Sequence, residues 1–327
     1  MASGEDDLIA KYFRPLANAP ASLGLLDDAA VLEGLGDDLV LTTDAIVEGV
    51  HYLAGDPPDT IARKALRVNL SDLAAKGASP VGFLLTLALR KANEAWLAAF
   101  AGALGEDATT FACPLLGGDT VSTSGPVMIS ITAFGRVPKG EMVRRHGARI
   151  GDIVAVTGTI GDAALGLDIL RGGRAAAAFP SHRREVEFLI DRYRVPQPRL
   201  AIAAALRASA GAAMDVSDGL AGDLAKLCAV SGVSATVELA KVPLSPAARA
   251  VITRGAATIE ALIAGGDDYE VLCAIPAERW SSFAAAATAA GVAVTEIGMI
   301  AAGSGTPAFL DAAGNAIKLS QTSYSHF

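Results

Sequence analysis

The sequence predicts an α/β (or α+β) protein of two domains, and two observations carry that expectation. Apolar residues make up 52% of the 327 residues and aromatic residues only 5%, so the apolar weight rests on alanine, as in small-residue helices packed closely on sheets. Short β-type runs also alternate with helix-periodic segments along nearly the whole chain.

In order, Leu8 to Leu16 has the spacing of a short helix, and Ala29 to Leu32 and Leu39 to Thr43 are β-type runs. A helix is expected from about Thr60 to Lys76, and strands near Phe83 to Leu89 and Val127 to Val137 bracket another. The stretch VPKGEMVRRHGARIGD at 137–152 gathers proline, glycine and basic residues between two β-type runs, which places a boundary between domains 1–140 and 141–327. Strands then follow at Ile153 to Thr157, Met214 to Val216, Ala235 to Leu239 and Glu270 to Ile275. Helices are expected at Ala163 to Leu170, Leu220 to Val230 and Arg279 to Ala290.

Bulk properties exclude several functions. A net charge of −8 and a pI near 5.1 disfavour binding to nucleic acid, while leaving small anions approachable through metal ions. The longest apolar stretch, Val81 to Leu89, is too short to span a membrane, and the acidic start lacks the order of a signal peptide, so a cytoplasmic protein is expected. Cys113, Cys228 and Cys273 are scattered and odd in number, and the four histidines are equally dispersed, which argues against disulfides and zinc. Neither a P-loop nor the motif set of protein kinases is present.

The aspartates are the unusual feature. Asp27 and Asp28 precede AAVL, Asp44 closes LVLTTD, Asp72 lies in RVNLSDLAAKGA, and Asp215 and Asp218 flank Ser217 in MDVSDGL. Two Gly-Gly-Asp motifs, at 117–119 and 265–267, read as tight turns in which glycine lets the backbone come close to a ligand and aspartate presents a carboxylate there. Any one of these residues could be a turn former or helix cap, and Ser217 or Asp218 could cap the helix that follows. Gathered together they would repel one another unless hard cations intervened, and many carboxylates with few histidines favour Mg²⁺ over Zn²⁺. Asn69, Asp72 and Lys76 form one polar stripe on the first long helix, suited to face a cleft.

Taken together, GEDDLIAKYF, DDAAVL, LTTDAIVEGVHY, VNLSDLAAKGASP, LLGGDTVSTSG, RRHGARIGDIVAVTGTIGDAALGL, MDVSDGLAGDL, GGDDYEVL and the terminal YSHF resemble the thiamine-monophosphate kinase family. That family belongs to the superfamily of aminoimidazole ribonucleotide synthetase and selenophosphate synthetase. The resemblance implies Mg²⁺-dependent transfer of the ATP γ-phosphoryl group to thiamine monophosphate, by a homodimer whose N-terminal sheets pair into a barrel. By motif match, Asp28, Thr42, Thr43, Asp44, Asp72, Asp119, Asp215 and Asp218 would hold several Mg²⁺ ions. Gly118, Asp119, Arg145 and Ser217 would contact ATP, and His51, Asp267 and Tyr324 the vitamin, with Asp72, Asp119, Arg145 and Asp218 carrying the chemistry. The acceptor is a phosphate oxygen that is already ionised, so direct in-line transfer needs no side chain as a base. The sequence departs from the family where Leu26 and Asp267 stand in place of Gly and Glu, and where Ala101 stands in place of an aromatic residue. The alternatives are another ATP-using member of the superfamily acting on a different anion, or a non-catalytic relic.

Overall fold

The computed structural model describes residues 23, 26–28, 30–32, 36–179, 183–304, 306–319 and 323. The helix expected over Leu8 to Leu16 lies outside them, as does Tyr324.

The first half builds a five-stranded sheet from β1 (Ala30–Leu32), β2 (Asp37–Val47), β3 (Ser79–Leu89), β4 (Leu115–Ser122) and β5 (Met128–Pro138), in the order β1-β2-β5-β3-β4. Neighbours are antiparallel except β3 and β4, which run parallel. The period-two pattern of β5 sends Ile129, Ile131 and Ala133 to one face. There Leu66, Leu70 and Leu73 of α1 (Pro58–Ala75) and Phe100 and Leu104 of α2 (Glu94–Thr110) close the core. Pro58 suits the first turn of α1, where its missing N–H would have had no partner, and Gly77 at φ +69° ends the helix in the left-handed region. The opposite face of the sheet stays open among the described residues: Leu84, Leu116 and Val121 are 41%, 58% and 43% exposed.

The turn expected at the first Gly-Gly-Asp is corrected here, because residues 117–119 lie inside β4. Gly118 pairs with Leu85 of β3, and a Cβ on it would fall 1.9 Å from the Leu85 carbonyl oxygen. Glycine serves a close strand-to-strand approach rather than a chain reversal.

The second half builds a seven-stranded sheet from β6 (Ile153–Thr157), β7 (Ala212–Asp215), β8 (Ser234–Glu238), β9 (Val271–Ile275), β10 (Val294–Ala301), β11 (Ala308–Leu310) and β12 (Ala316–Ile317). The strands lie in the order β12-β11-β8-β10-β6-β9-β7. Only the β8–β11 pair is parallel. Every residue of β6 and β9 is buried because the sheet is covered on both faces. Val154, Val156, Leu272 and Ala274 pack with Leu220, Leu224 and Leu227 of α6 (Leu220–Ser231). Ile153, Ala155, Val271 and Cys273 pack instead with Leu206 of α5 (Ala203–Ser209) and Phe283 of α9 (Trp280–Ala289). The remaining α-helices among the described residues are α3 (Asp162–Leu170), α4 (Arg183–Arg194), α7 (Pro246–Thr253) and α8 (Ile259–Ile263). No described helix is long and apolar enough to cross a membrane.

Helix α1 joins the two halves, packing on β2 and β5 on one side and on β7 and the turn Leu200–Ile202 on the other. Its polar stripe therefore meets both sheets.

Candidate active site between the two sheets

Six elements, counting α6 with Asp223, deliver carboxylates to one cavity of about 240 Å³. Thr42, Thr43 and Asp44 come from β2, Asp72 from α1, Asp28 from the segment before β1, Asp215 from the end of β7, and Asp218 from the following loop. Carboxylate oxygens of Asp28, Asp72 and Asp215 lie within 4.8 Å of one another. The Thr42 hydroxyl donates to Asp72 at 2.5 Å, and the Asp44 backbone N–H donates to Asn69 at 3.1 Å, which places the α1 stripe against β2.

So many acids in little water cannot all remain ionised. Burial, reinforced by Asp215 and Asp44, raises the Asp72 carboxyl well above the usual range. Burial, with Asp223 and Asp44 adding to it, pushes Asp215 up to about 7. Asp44 is also raised by burial, with Asp218 adding to it and a hydrogen bond with Asp72 opposing. The neutralising cations are internal. Lys76, fully buried, lies 2.7 Å from Asp27 and 3.0 Å from Asp28, and Arg145 forms an ion pair with Asp28. The Arg145 Nε is buried and has no hydrogen-bond partner among the described residues. Lys226 lies 2.5 Å from Asp218 and 3.2 Å from Asp223.

Two cluster residues are not among the candidates drawn from the sequence. Asp223, in the first turn of α6, accepts the backbone N–H groups of Ser217 and Asp218, both at 3.0 Å. Neither Ser217 nor Asp218 caps the helix, since the N-cap is Gly219 with no side-chain cap bond; Asp223 instead pins the loop that precedes it. Lys226 follows three residues later on the same helix. An acid in the first turn after a Ser-Asp-Gly loop was the available signal for Asp223.

A second cavity of about 590 Å³ adjoins the first and shares Asp44, Val68, Ser217, Asp218 and Tyr269 with it. Its walls include Ala163, Ala164 and Leu167 of α3, Ala261 of α8, His51, Arg171 and Asp267. His51 Nδ1 accepts the Val47 N–H at 3.1 Å, which leaves the proton of the neutral ring on Nε2. The second Gly-Gly-Asp is a loop, as expected, and its glycines allow backbone to meet backbone. A Cβ on Gly266 would lie 2.5 Å from the Ser217 carbonyl oxygen, to which Asp267 donates at 2.8 Å; Tyr269 donates to the Val216 carbonyl at 2.8 Å. Asp267 and Tyr269 sit at φ +71° and +51°, a left-handed geometry costing a non-glycine residue about 1 kcal/mol. The Asp267 carboxylate is held from both sides, by the Tyr269 hydroxyl at 3.2 Å and by Lys64 Nζ at 3.0 Å.

Gly118 and Asp119 are not brought to this cluster within one chain. Asp119 pairs with Thr86, which pairs with Ser130, which pairs with Ala45, so it stands three strand spacings, about 14 Å, from β2. It is exposed on the edge strand, on the open face of the sheet that Ala45 also faces.

Two α/β halves with a buried carboxylate cluster at their junction define a class, and sequence comparison names it. The family model for the AIR synthase related protein N-terminal domain matches residues 26–137, and the model for the C-terminal domain matches residues 149–310. A thiamine-monophosphate kinase of Caulobacter vibrioides is 46% identical over 93% of this chain and 86% of its own length. A solved structure of AaThiL complexed with AMPPCP and TMP superposes with a TM-score of 0.83 at 31% identity, covering 99% of this chain and 96% of its own. The thiamine-monophosphate kinase of Stenotrophomonas maltophilia K279a gives a TM-score of 0.78 at 37% identity, covering 93% and 94%. The chain belongs to the thiamine-monophosphate kinase family.

Proposed function

We infer that the protein transfers the γ-phosphoryl group of ATP directly, in line, to the phosphate of thiamine monophosphate, giving thiamine diphosphate and ADP. One observation carries this reading: a carboxylate-lined cavity and a larger, partly apolar cavity share Asp44, Ser217 and Asp218 along a common wall. Phosphates meeting in the smaller cavity would place the organic part of the vitamin in the larger one, beside His51 and Asp267.

The all-oxygen donor set and the mutual repulsion within it fit Mg²⁺, and Asp28, Thr42, Thr43, Asp44, Asp72, Asp215 and Asp218 would hold it. Bound magnesium supplies the neutralisation of phosphate charge that lets two anions approach. Arg145 reaches the same cavity from the linker and adds a fixed positive charge, and the Ser217 loop, pinned by Asp223, offers ATP a rigid edge. No residue has to remove a proton, in keeping with a site of carboxylates, hydroxyls and ammonium groups. Tyr324 would add a ring surface for the vitamin. The halves meeting in the 139–152 linker act as the two domains. Incubation with Mg²⁺, ATP and thiamine monophosphate tests the reading, and absence of thiamine diphosphate would overturn it.

Asp267→Asn is expected to raise the KM for thiamine monophosphate roughly tenfold, with little change for ATP, while Asp267→Glu remains close to the parent. An unchanged vitamin KM in the Asn variant would make Asp267 a structural residue.

Gly118 and Asp119 join the site in a homodimer, with the open sheet face and the β4 edge of one copy against its partner and the two N-terminal sheets closing into a barrel. Exposure of Leu84, Leu116 and Val121 on that face supports the arrangement. A mixture of Asp72→Asn and Asp119→Asn proteins, denatured and refolded together, should then recover about a quarter of parental activity, because each mixed dimer contains one intact site. No recovery would place both residues in the same chain's site.

A further inference from the structure

Lys64 is absent from the lining of both cavities, yet His51 and Asp267, the two groups to which its ammonium donates, line the larger one. It lies on α1 with 1% of its surface exposed. A buried ammonium must find partners for its three N–H groups. Lys64 Nζ donates to the His51 carbonyl at 2.8 Å and to Asp267 Oδ2 at 3.0 Å, and it sits 3.8 Å from the centre of the Tyr193 ring. The Tyr193 hydroxyl donates to the same His51 carbonyl at 3.2 Å. The group thus ties four segments together: the β2–α1 loop, α1, α4 and the loop before β9.

Packing alone does not explain a charge at this position. An apolar side chain of similar volume would fill the space at equal or lower cost, since burying an ammonium–carboxylate pair yields little net stability. The ammonium supplies direction instead. It engages one oxygen of Asp267 while Tyr269 engages the other, so the carboxylate plane is fixed on a residue whose backbone is already in the left-handed region. By holding the His51 carbonyl as well, it sets the two candidate substrate contacts at a fixed separation, although they come from opposite halves of the chain.

We propose that Lys64 is a positioning residue of the substrate pocket, joining the Asp267 carboxylate and the His51 backbone into one unit that meets the vitamin in fixed register. This rests on the reading that the larger cavity takes thiamine monophosphate.

The test uses the full-length protein with Lys64→Met and Lys64→Gln, alone and combined with Asp267→Asn. Each single Lys64 variant should raise the KM for thiamine monophosphate about tenfold, with kcat and the KM for ATP changed less than about twofold. In the double variants the two changes should not multiply, because Lys64 acts through Asp267. Equal rises in both KM values, an unchanged vitamin KM, or fully multiplicative effects would overturn the proposal. Failure of both single variants to fold, seen by circular dichroism, would also overturn it, since Lys64 would then hold the fold rather than the pocket. A parent protein that forms thiamine diphosphate while the variants keep its KM values refutes only the role of Lys64. A parent that forms none refutes the functional reading itself.

Discussion

Asp72→Asn should lower kcat by at least about a hundredfold and, unusually for so damaging a change, raise the melting temperature of the metal-free protein. Both effects arise from the same crowding. Asp72 lies with Asp28 and Asp215 in a space where their oxygens are within 4.8 Å of one another, and burial and those neighbours already disfavour its ionised form. Asparagine keeps the shape and the acceptor for the Thr42 hydroxyl, removes a charge that the folded state tolerates poorly, and would remove a ligand for the proposed magnesium. Turnover at saturating ATP and magnesium, measured beside a thermal melt in EDTA, separates the outcomes. Retained turnover would remove Asp72 from the chemistry, and a lowered melting temperature would contradict the electrostatic account.

Without magnesium, the protein should lose stability as the pH rises from about 4 to about 8, and magnesium should restore it most strongly at the alkaline end. Burial is the leading cause that lifts Asp215 to about 7 and Asp223 to about 6 from a reference of 3.8, with neighbouring carboxylates adding to both and Lys226 opposing for Asp223. A carboxyl with a folded pKa above its unfolded one binds its proton more tightly when folded. Its contribution is therefore complete below the unfolded value and disappears as the pH climbs through the folded value. Asp72 and Asp44 are shifted in the same direction and act in the same sense. A divalent cation takes over from those protons, so saturating Mg²⁺ should raise the melting temperature by roughly 4 °C or more at pH 8 and by much less at pH 5.5. Equal shifts at the two pH values would show that the cation does not replace protons in this cluster.

The carboxylates that meet in the smaller cavity were legible in the sequence for a physical reason. Asp215 closes the buried strand β7, Asp44 lies within β2 with its backbone against Asn69 of α1, and Asp72 rides on a helix with a buried apolar face, so the core itself fixes where each backbone points. Asp119 was misread locally because two glycines and an aspartate are also the composition of a turn; what makes them strand is pairing with Leu85, a partner distant in sequence. Asp223 and Lys226 lie on the helix after MDVSDGL, and only folding sets them behind the Ser217 loop. Lys64 was the least legible of all. Its surroundings, ARKALRVNL, read as one amphipathic helix, and the carboxylate that justifies its burial lies 203 positions further along. The second sheet shows the same limit, since wholly apolar runs such as β6 and β9 report burial on both faces but not strand direction.

The backbone hydrogen bonds from Asp267 to Ser217 and from Tyr269 to Val216 have a thermodynamic consequence. They stitch the Ser217 loop to the Asp267 loop, so on the proposed reading, with ATP beside the first and the vitamin beside the second, whichever ligand arrives first would bear the entropy of stilling both. The second would then meet a surface already ordered and should bind more tightly. Linkage makes this advantage symmetrical: the factor by which ATP favours thiamine monophosphate equals the factor by which thiamine monophosphate favours ATP, whatever the order of arrival.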